Sequence, residues 1–102
     1  MSNWTKIATA ADVPDATGLE LTVGDRIIAL FRVEDDYHAI DGICAHAGGP
    51  VAEGALNGCI VTCPWHGWQY DVTTGHHCLN SHIQQQSFPV KVEDGDIFVE
   101  LP

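Results

Sequence analysis

Leu19-Glu20-Leu21-Thr22-Val23-Gly24-Asp25-Arg26-Ile27-Ile28-Ala29-Leu30-Phe31-Arg32-Val33 reads as a β-hairpin. Two runs rich in aliphatic and β-branched residues flank Gly24-Asp25, a two-residue loop of the kind that joins antiparallel strands. The pattern continues outward. Glu34-Asp35-Asp36 makes the next turn, before a strand over Tyr37–Ile40. Asn57-Gly58 turns Ala55-Leu56 back into Cys59–Thr62. Trp68–Val72 ends at Thr73-Thr74-Gly75, and Phe88–Val92 and Ile97–Leu101 flank Asp94-Gly95-Asp96. No stretch of helical length carries a 3.6-residue period, although Ala8–Val13 has room for one helical turn. Short strands between frequent turns predict an all-β fold, an antiparallel sandwich or small barrel. There is no internal repeat and no linker, so residues 1–102 are expected to form one domain.

The 102 residues can bury a modest core, to which a metal centre would add stability. An apolar content of 45% is ordinary for a globular protein and argues against disorder. No apolar run approaches the ~20 residues needed to span a bilayer. The opening segment MSNWTKIATAADVPDATGLE lacks the basic and apolar regions of a signal peptide. The expected location is therefore cytoplasmic, where cysteines serve as metal ligands or free thiols rather than in disulfides. Fourteen acidic residues face four basic ones, Lys6, Arg26, Arg32 and Lys91, for a net charge of −10. That charge repels nucleic-acid phosphates and anionic membranes, so neither is an expected partner. It favours a partner with a basic docking patch, and it also serves solubility.

Beyond Ile40 the chain reaches Cys44-Ala45-His46 and, after sixteen intervening residues, Cys63-Pro64-Trp65-His66. Both pairs follow strands and run into Gly and Pro, so both belong to loops held by a scaffold, where binding chemistry concentrates. Thiolate and imidazole together suit zinc or an iron–sulfur centre. Structural zinc usually takes both cysteines from one knuckle and both histidines from a helix. Here each loop mixes one of each, which a binuclear cluster explains better: Cys44 and Cys63 on one iron, His46 and His66 on the other. Two ferric ions and two sulfides leave two positive charges, which two thiolates cancel, whereas four thiolates would leave the cluster doubly negative. An electron enters a neutral centre at lower electrostatic cost, which raises the potential above that of a four-cysteine cluster.

Cys44-Ala45-His46-Ala47-Gly48-Gly49-Pro50 and Cys63-Pro64-Trp65-His66-Gly67-Trp68-Gln69-Tyr70-Asp71, with Thr74-Gly75, resemble the Rieske ferredoxin family. The likeness is strongest to the small soluble ferredoxins of bacterial multicomponent oxygenases. The closing segments Phe88-Pro89-Val90-Lys91-Val92 and Ile97-Phe98-Val99 extend it over nearly the whole chain. The resemblance implies the β-sandwich of Rieske iron–sulfur proteins, with a small cluster-binding subdomain at approximately 41–85. It implies one [2Fe–2S] cluster per chain, held by Cys44, His46, Cys63 and His66, with the histidines at an exposed tip. The implied role is one-electron transfer from an NAD(P)H-dependent flavin reductase to a terminal oxygenase, with no bond chemistry on the chain itself. Similar chains form the small subunit of NAD(P)H nitrite reductase, whose large subunit would then be the partner. A zinc-stabilised interaction module without redox chemistry is the alternative of another class.

The other thiols and imidazoles carry simpler readings. Cys59 shares strand parity with Val61 and Cys63 and is expected to be a small buried residue. His76-His77-Cys78 reads as a surface loop rather than a second metal site, and a Cys59–Cys78 disulfide is not expected. His38 reads as an ordinary strand residue, and Trp4, Trp65, Trp68 and Phe98 as packing residues. His82 belongs to a third loop, Asn80–Gln86, which in the family covers the cluster and usually contains a proline. Here it has none.

Respiratory members of the family carry an additional cysteine in each cluster loop, joined as a disulfide, and a serine just after the second His-Gly. Gly49 (or a neighbour), Trp65 and Trp68 hold those places here. Fewer hydrogen-bond donors to sulfur stabilise the reduced charge less. A redox titration is expected to give a value in the lower part of the roughly −150 to +300 mV Rieske range; one in the upper part would refute this reading.

Overall fold

The apolar run within Arg26–Val33 forms a strand whose side chains alternate between two cores. Ile28 and Leu30 enter one, Ala29 and Phe31 the other, and all four are fully buried. A strand with water on one face alternates apolar with polar residues. This one has a packed layer against each face, so the run is continuous.

The computed structural model describes residues 4–43, 49–65, 67–79 and 82–101. The strands, in chain order, are β1 (Trp4–Thr9), β2 (Thr17–Val23), β3 (Arg26–Val33), β4 (Asp36–Asp41), β5 (Ala55–Asn57), β6 (Ile60–Thr62), β7 (Gln69–Asp71), β8 (Ser87–Phe88), β9 (Val90–Glu93) and β10 (Asp96–Glu100). They build three antiparallel sheets, ordered β1-β10-β9, β2-β3-β4-β8 and β5-β6-β7. Single 3-10 turns occupy Ala10–Asp12 and Val51–Glu53. Among the described residues no helix is long and apolar enough to cross a membrane. The all-β, antiparallel expectation holds.

The four-stranded sheet lies between the other two. On one face, Ile28, Leu30, Ala39 and Phe88 pack with Val13, Ile97 and Val99. On the other, Ala29, Phe31 and Ile40 pack with Val51, Ala52, Val61, Cys63, Tyr70 and Val72. The second core contains Cys63, together with Val51 and Ala52, which follow the first cysteine-bearing segment in the chain.

Several boundaries differ from the expectation, each for a local reason. The β2–β3 hairpin forms with Leu19 opposite Leu30 and Val23 opposite Arg26. The β5–β6 loop is Gly58-Cys59 rather than Asn57-Gly58, because Asn57 pairs with Ile60 and the positive φ of 61° falls on Gly58. The expected Phe88–Val92 strand divides at Pro89, which has no N–H to donate. Phe88 before it pairs with β4, and Val90 after it pairs with β10, so the chain changes sheets there. The helical turn expected within Ala8–Val13 is the 3-10 turn at Ala10–Asp12. Strand β1, which the sequence pattern did not reveal, pairs with β10 across a register shift between Lys6 and Ala8.

Both cores should respond to truncation. Phe31→Ala is expected to cost about 3–5 kcal/mol and Ile97→Ala about 2–5 kcal/mol, measured by denaturant unfolding of the purified protein. A loss below about 1 kcal/mol at either position would contradict full burial there.

Candidate metal centre

Cys63 immediately follows β6 and is 1% exposed, within the second core. Its N–H donates to the Trp68 carbonyl at 2.7 Å, one step past the Thr62–Gln69 pair that ends the β6–β7 ladder. The Gly67 N–H donates back to the Cys63 carbonyl at 3.2 Å. These bonds close the Cys63–Trp68 loop at its base and fix Cys63 at the strand end.

The other loop is closed in the same manner. Ile43 and Pro50 form an antiparallel bridge, and Val51 N–H donates to the Gly42 carbonyl at 3.2 Å. Gly42 in turn donates to Ile27 O at 2.9 Å, which ties this base to β3. Val51 and Ala52, just past the bridge, are buried in the same core as Cys63. Cys44, His46 and His66 lie outside the described residues.

The described ends of the two loops meet at Gly49. A methyl group there would stand 3.0 Å from Cys63 Sγ and 2.9 Å from Trp65 Cγ. Only glycine allows this approach without displacing a neighbour. A buried thiol that faces the end of the loop carrying Cys44 and His46 suits a cluster gripped between two loops. The donor types, soft thiolate with imidazole, suit iron–sulfur chemistry.

A third segment borders the site. His77 pairs with Tyr70 in a bridge, Cys78 N–H donates to Gln69 O at 2.9 Å, and His76 bridges to Gln84. The chain therefore lies alongside β7. His77 is buried, its ring edge-on to Trp68 at 4.6 Å and to Tyr70 at 5.5 Å. Its Nδ1 accepts the Leu79 N–H at 3.0 Å, which in a neutral ring leaves Nε2 carrying the proton. The surface-loop expectation thus fails for His77: its ring fills the space between Trp68 and Tyr70. It holds for Cys78, which is exposed. Partial burial of the Cys78 thiol, with the Asp71 carboxylate, raises its pKa, which disfavours the thiolate that a metal needs. Among the described residues no group of three or more metal-binding side chains is brought together. Cys59 and Cys78 are both free thiols, and Cys59 is half-buried against the core. His82 is exposed, His38 is half-buried in β4, and Asn80 and Ser81 of the third loop lie outside the described residues. Trp65, expected to pack, does so only partly and stays 51% exposed.

The residue that sequence reasoning missed is Gln85. It is 3% exposed, and its side-chain amide donates to the carbonyls of Asp41, at 3.1 Å, and Ile43. Nothing in Gln84-Gln85-Gln86 distinguishes the middle glutamine, because its burial depends on the path of β4.

With this geometry in place, comparison with known proteins gives the class. The chain belongs to the Rieske [2Fe-2S] domain family, whose model matches residues 3–97, and the cofactor of that family is a [2Fe–2S] cluster. The 3-phenylpropionate/cinnamic acid dioxygenase ferredoxin subunit of Escherichia coli strain K12 is 37% identical over 94 residues, covering 90% of this chain and 88% of that protein. A ferredoxin chain in the complex of reduced oxygenase and oxidized ferredoxin in carbazole 1,9a-dioxygenase superposes with a TM-score of 0.87 at 30% identity, covering 95% of this chain and 92% of that one. A putative NADH-dependent nitrite reductase small subunit from Mycobacterium tuberculosis superposes at 0.91 with 20% identity, covering 100% of this chain and 97% of that one, and shares the fold.

The close approach at Gly49 makes a specific prediction. Gly49→Ala is expected to cost about 1–3 kcal/mol through overpacking and to leave less iron bound per chain, read by denaturation and iron analysis. Unchanged stability and iron content would mean that the loops do not meet there.

Proposed function

We propose that this chain is the ferredoxin component of a ring-hydroxylating dioxygenase system, carrying one electron from a flavin-dependent NAD(P)H reductase to a terminal oxygenase. Cys44 and Cys63 would hold one iron of the cluster, and His46 and His66 the other. When bound, the cluster supplies a one-electron redox centre that is neutral before reduction. The chain's residues shape and shield it. Cys63 offers a buried thiol, Gly49 lets the loops close, and Trp68 and His77 pack behind the second loop.

The observation that carries the reading is the meeting of the two loops at Gly49 and Cys63. The 37% identity to a dioxygenase ferredoxin subunit over nearly all of both chains supports the system assigned. The distribution of charge also supports a carrier that docks through its loops. Between residues 42 and 90 the only charged side chains are Glu53 and Asp71, with no Lys or Arg. Ile43, Trp65 and Leu79, all exposed apolar residues, fall in that segment, one beside or within each loop. A weakly charged segment with exposed apolar side chains is suited to transient contact, and the carboxylates elsewhere act over longer range on a basic partner.

Electron paramagnetic resonance of the dithionite-reduced protein, with iron and acid-labile sulfide analysis, tests the proposal. The expected result is two irons and two sulfides per chain and the g-tensor of a histidine-ligated cluster. A colourless protein carrying zinc would refute it. With the cluster present, failure of the reduced protein to pass its electron to a dioxygenase terminal component would refute the assignment of the system.

A further inference from the structure

We propose that Gln85 is a positioning residue for the cluster, its side-chain amide holding the base of the first loop to the third segment. The inference rests on the cluster reading above. The geometry arises where two sheets part. Strand β8 runs antiparallel to β4, with Phe88 opposite Ala39 and Ser87 opposite Ile40, and Asp41 N–H donates to Gln86 O at 2.8 Å. One residue earlier in the chain the backbone leaves this ladder. Gln85 N–H donates instead to Gly75 O at 2.7 Å, in the cysteine-bearing layer. The Asp41 and Ile43 carbonyls, two residues apart and on the same edge of the chain, thereby lose their backbone partner. The Gln85 Nε2 group takes both.

The placement leaves Gln85 little freedom. Gly75 has φ 83°, and a methyl group there would overlap the Gln85 carbonyl oxygen. The amide is buried, so losing it would strand two carbonyls without donors in a site from which water is largely excluded. The residue after Ile43 is Cys44, and the residue paired with Ile43 is Pro50, which follows Gly49. Gln85 therefore fixes the base from which one proposed ligand departs and to which the loop returns. In a third loop that lacks the family's usual proline, a side-chain amide performs the tethering.

Gln85→Met removes both donors at nearly constant volume. Gln85→Glu keeps the reach but sets a carboxylate against two carbonyls, and protonation restores one donor at low pH. Iron release to a chelator is expected to be about tenfold faster in the Met variant, the order expected from losing two neutral hydrogen bonds. The g-tensor of the reduced cluster should broaden or shift, which a remote loss of stability would not cause. Hydrogen exchange in the purified protein should speed up at Gly42 and Val51. The Glu variant should release iron more slowly, relative to wild type, at pH 5 than at pH 8. Wild-type release, g-values and exchange in the Met variant would overturn the proposal, as would a pH-independent ratio in the Glu variant should the Met variant not fold. Absence of iron from the wild-type protein would instead overturn the cluster reading, while the exchange measurement would still test the Gln85 tether.

Discussion

Two loops can share one metal cluster only if their ends meet, and in this chain they meet where Gly49 lies against Cys63 and Trp65. The approach is possible because neither loop is free to drift. Val51 and Ala52, which follow the first loop, and Cys63, which begins the second, belong to one apolar cluster with Phe31, Val61 and Tyr70. Interiors are packed densely enough that a displacement at one residue is felt by its neighbours. The burial of β3 on both faces therefore matters to the site: its Ala29 and Phe31 support the loops, while Ile28 and Leu30 anchor the same strand to the opposite sheet.

The separation of charge follows the same layers. Reduction adds a negative charge to the cluster, and nearby carboxylates would oppose it. The segment from 42 to 90 holds only two, Glu53 and Asp71, and Asp41 just before it accepts the Ile43 N–H at 3.1 Å. Asp71 is engaged in its own turn, accepting from Thr73 N–H at 2.9 Å and Thr73 Oγ1 at 2.6 Å. The rest of the acidic side chains fall on the strands and turns of the other two sheets, β1-β10-β9 and β2-β3-β4-β8, or beside them. A chain of net charge −10 can thus be strongly acidic while its cysteine-bearing layer is not.

The parts of this arrangement that local chemistry governs could be read from the sequence. The β2–β3 and β9–β10 hairpins declare themselves through turn residues between apolar runs, and Cys63 through its spacing from Pro64 and His66. Long-range pairing could not be read. Strand β1 finds its partner in β10, at the other end of the chain, and Trp4-Thr5-Lys6-Ile7-Ala8-Thr9 has no clean alternation to announce it. The division at Pro89 was visible as a missing donor, but its consequence, a change of sheet, depends on where β4 and β10 lie. His77 and Gln85 were invisible for a related reason. Each is a polar residue in a polar stretch, buried only because another segment, β7 for one and the end of β4 for the other, passes over it.

How the loops are held also explains why these polar ties matter. A Cβ at position 49 would stand 3.0 Å from that of Trp65, closer than the 3.5–4.5 Å separation of a disulfide, so the two positions are direct neighbours across the loops. The resemblance to respiratory Rieske proteins implies that position 49, or a neighbour, and position 65 are the places where a second pair of cysteines staples the loops. Here Gly49 and Trp65 occupy them, so the loops are joined by packing alone at that point. A covalent staple would tolerate a loose base, because the loop ends could not separate. Without one, the geometry of the site is set by hydrogen bonds: the Ile43–Pro50 bridge, the Cys63–Trp68 closure and the two bonds from Gln85. Each such bond is worth only about 0.5–1.5 kcal/mol, so the loops keep their arrangement through the sum of several, some at the end of β4 and some at the ends of β6 and β7.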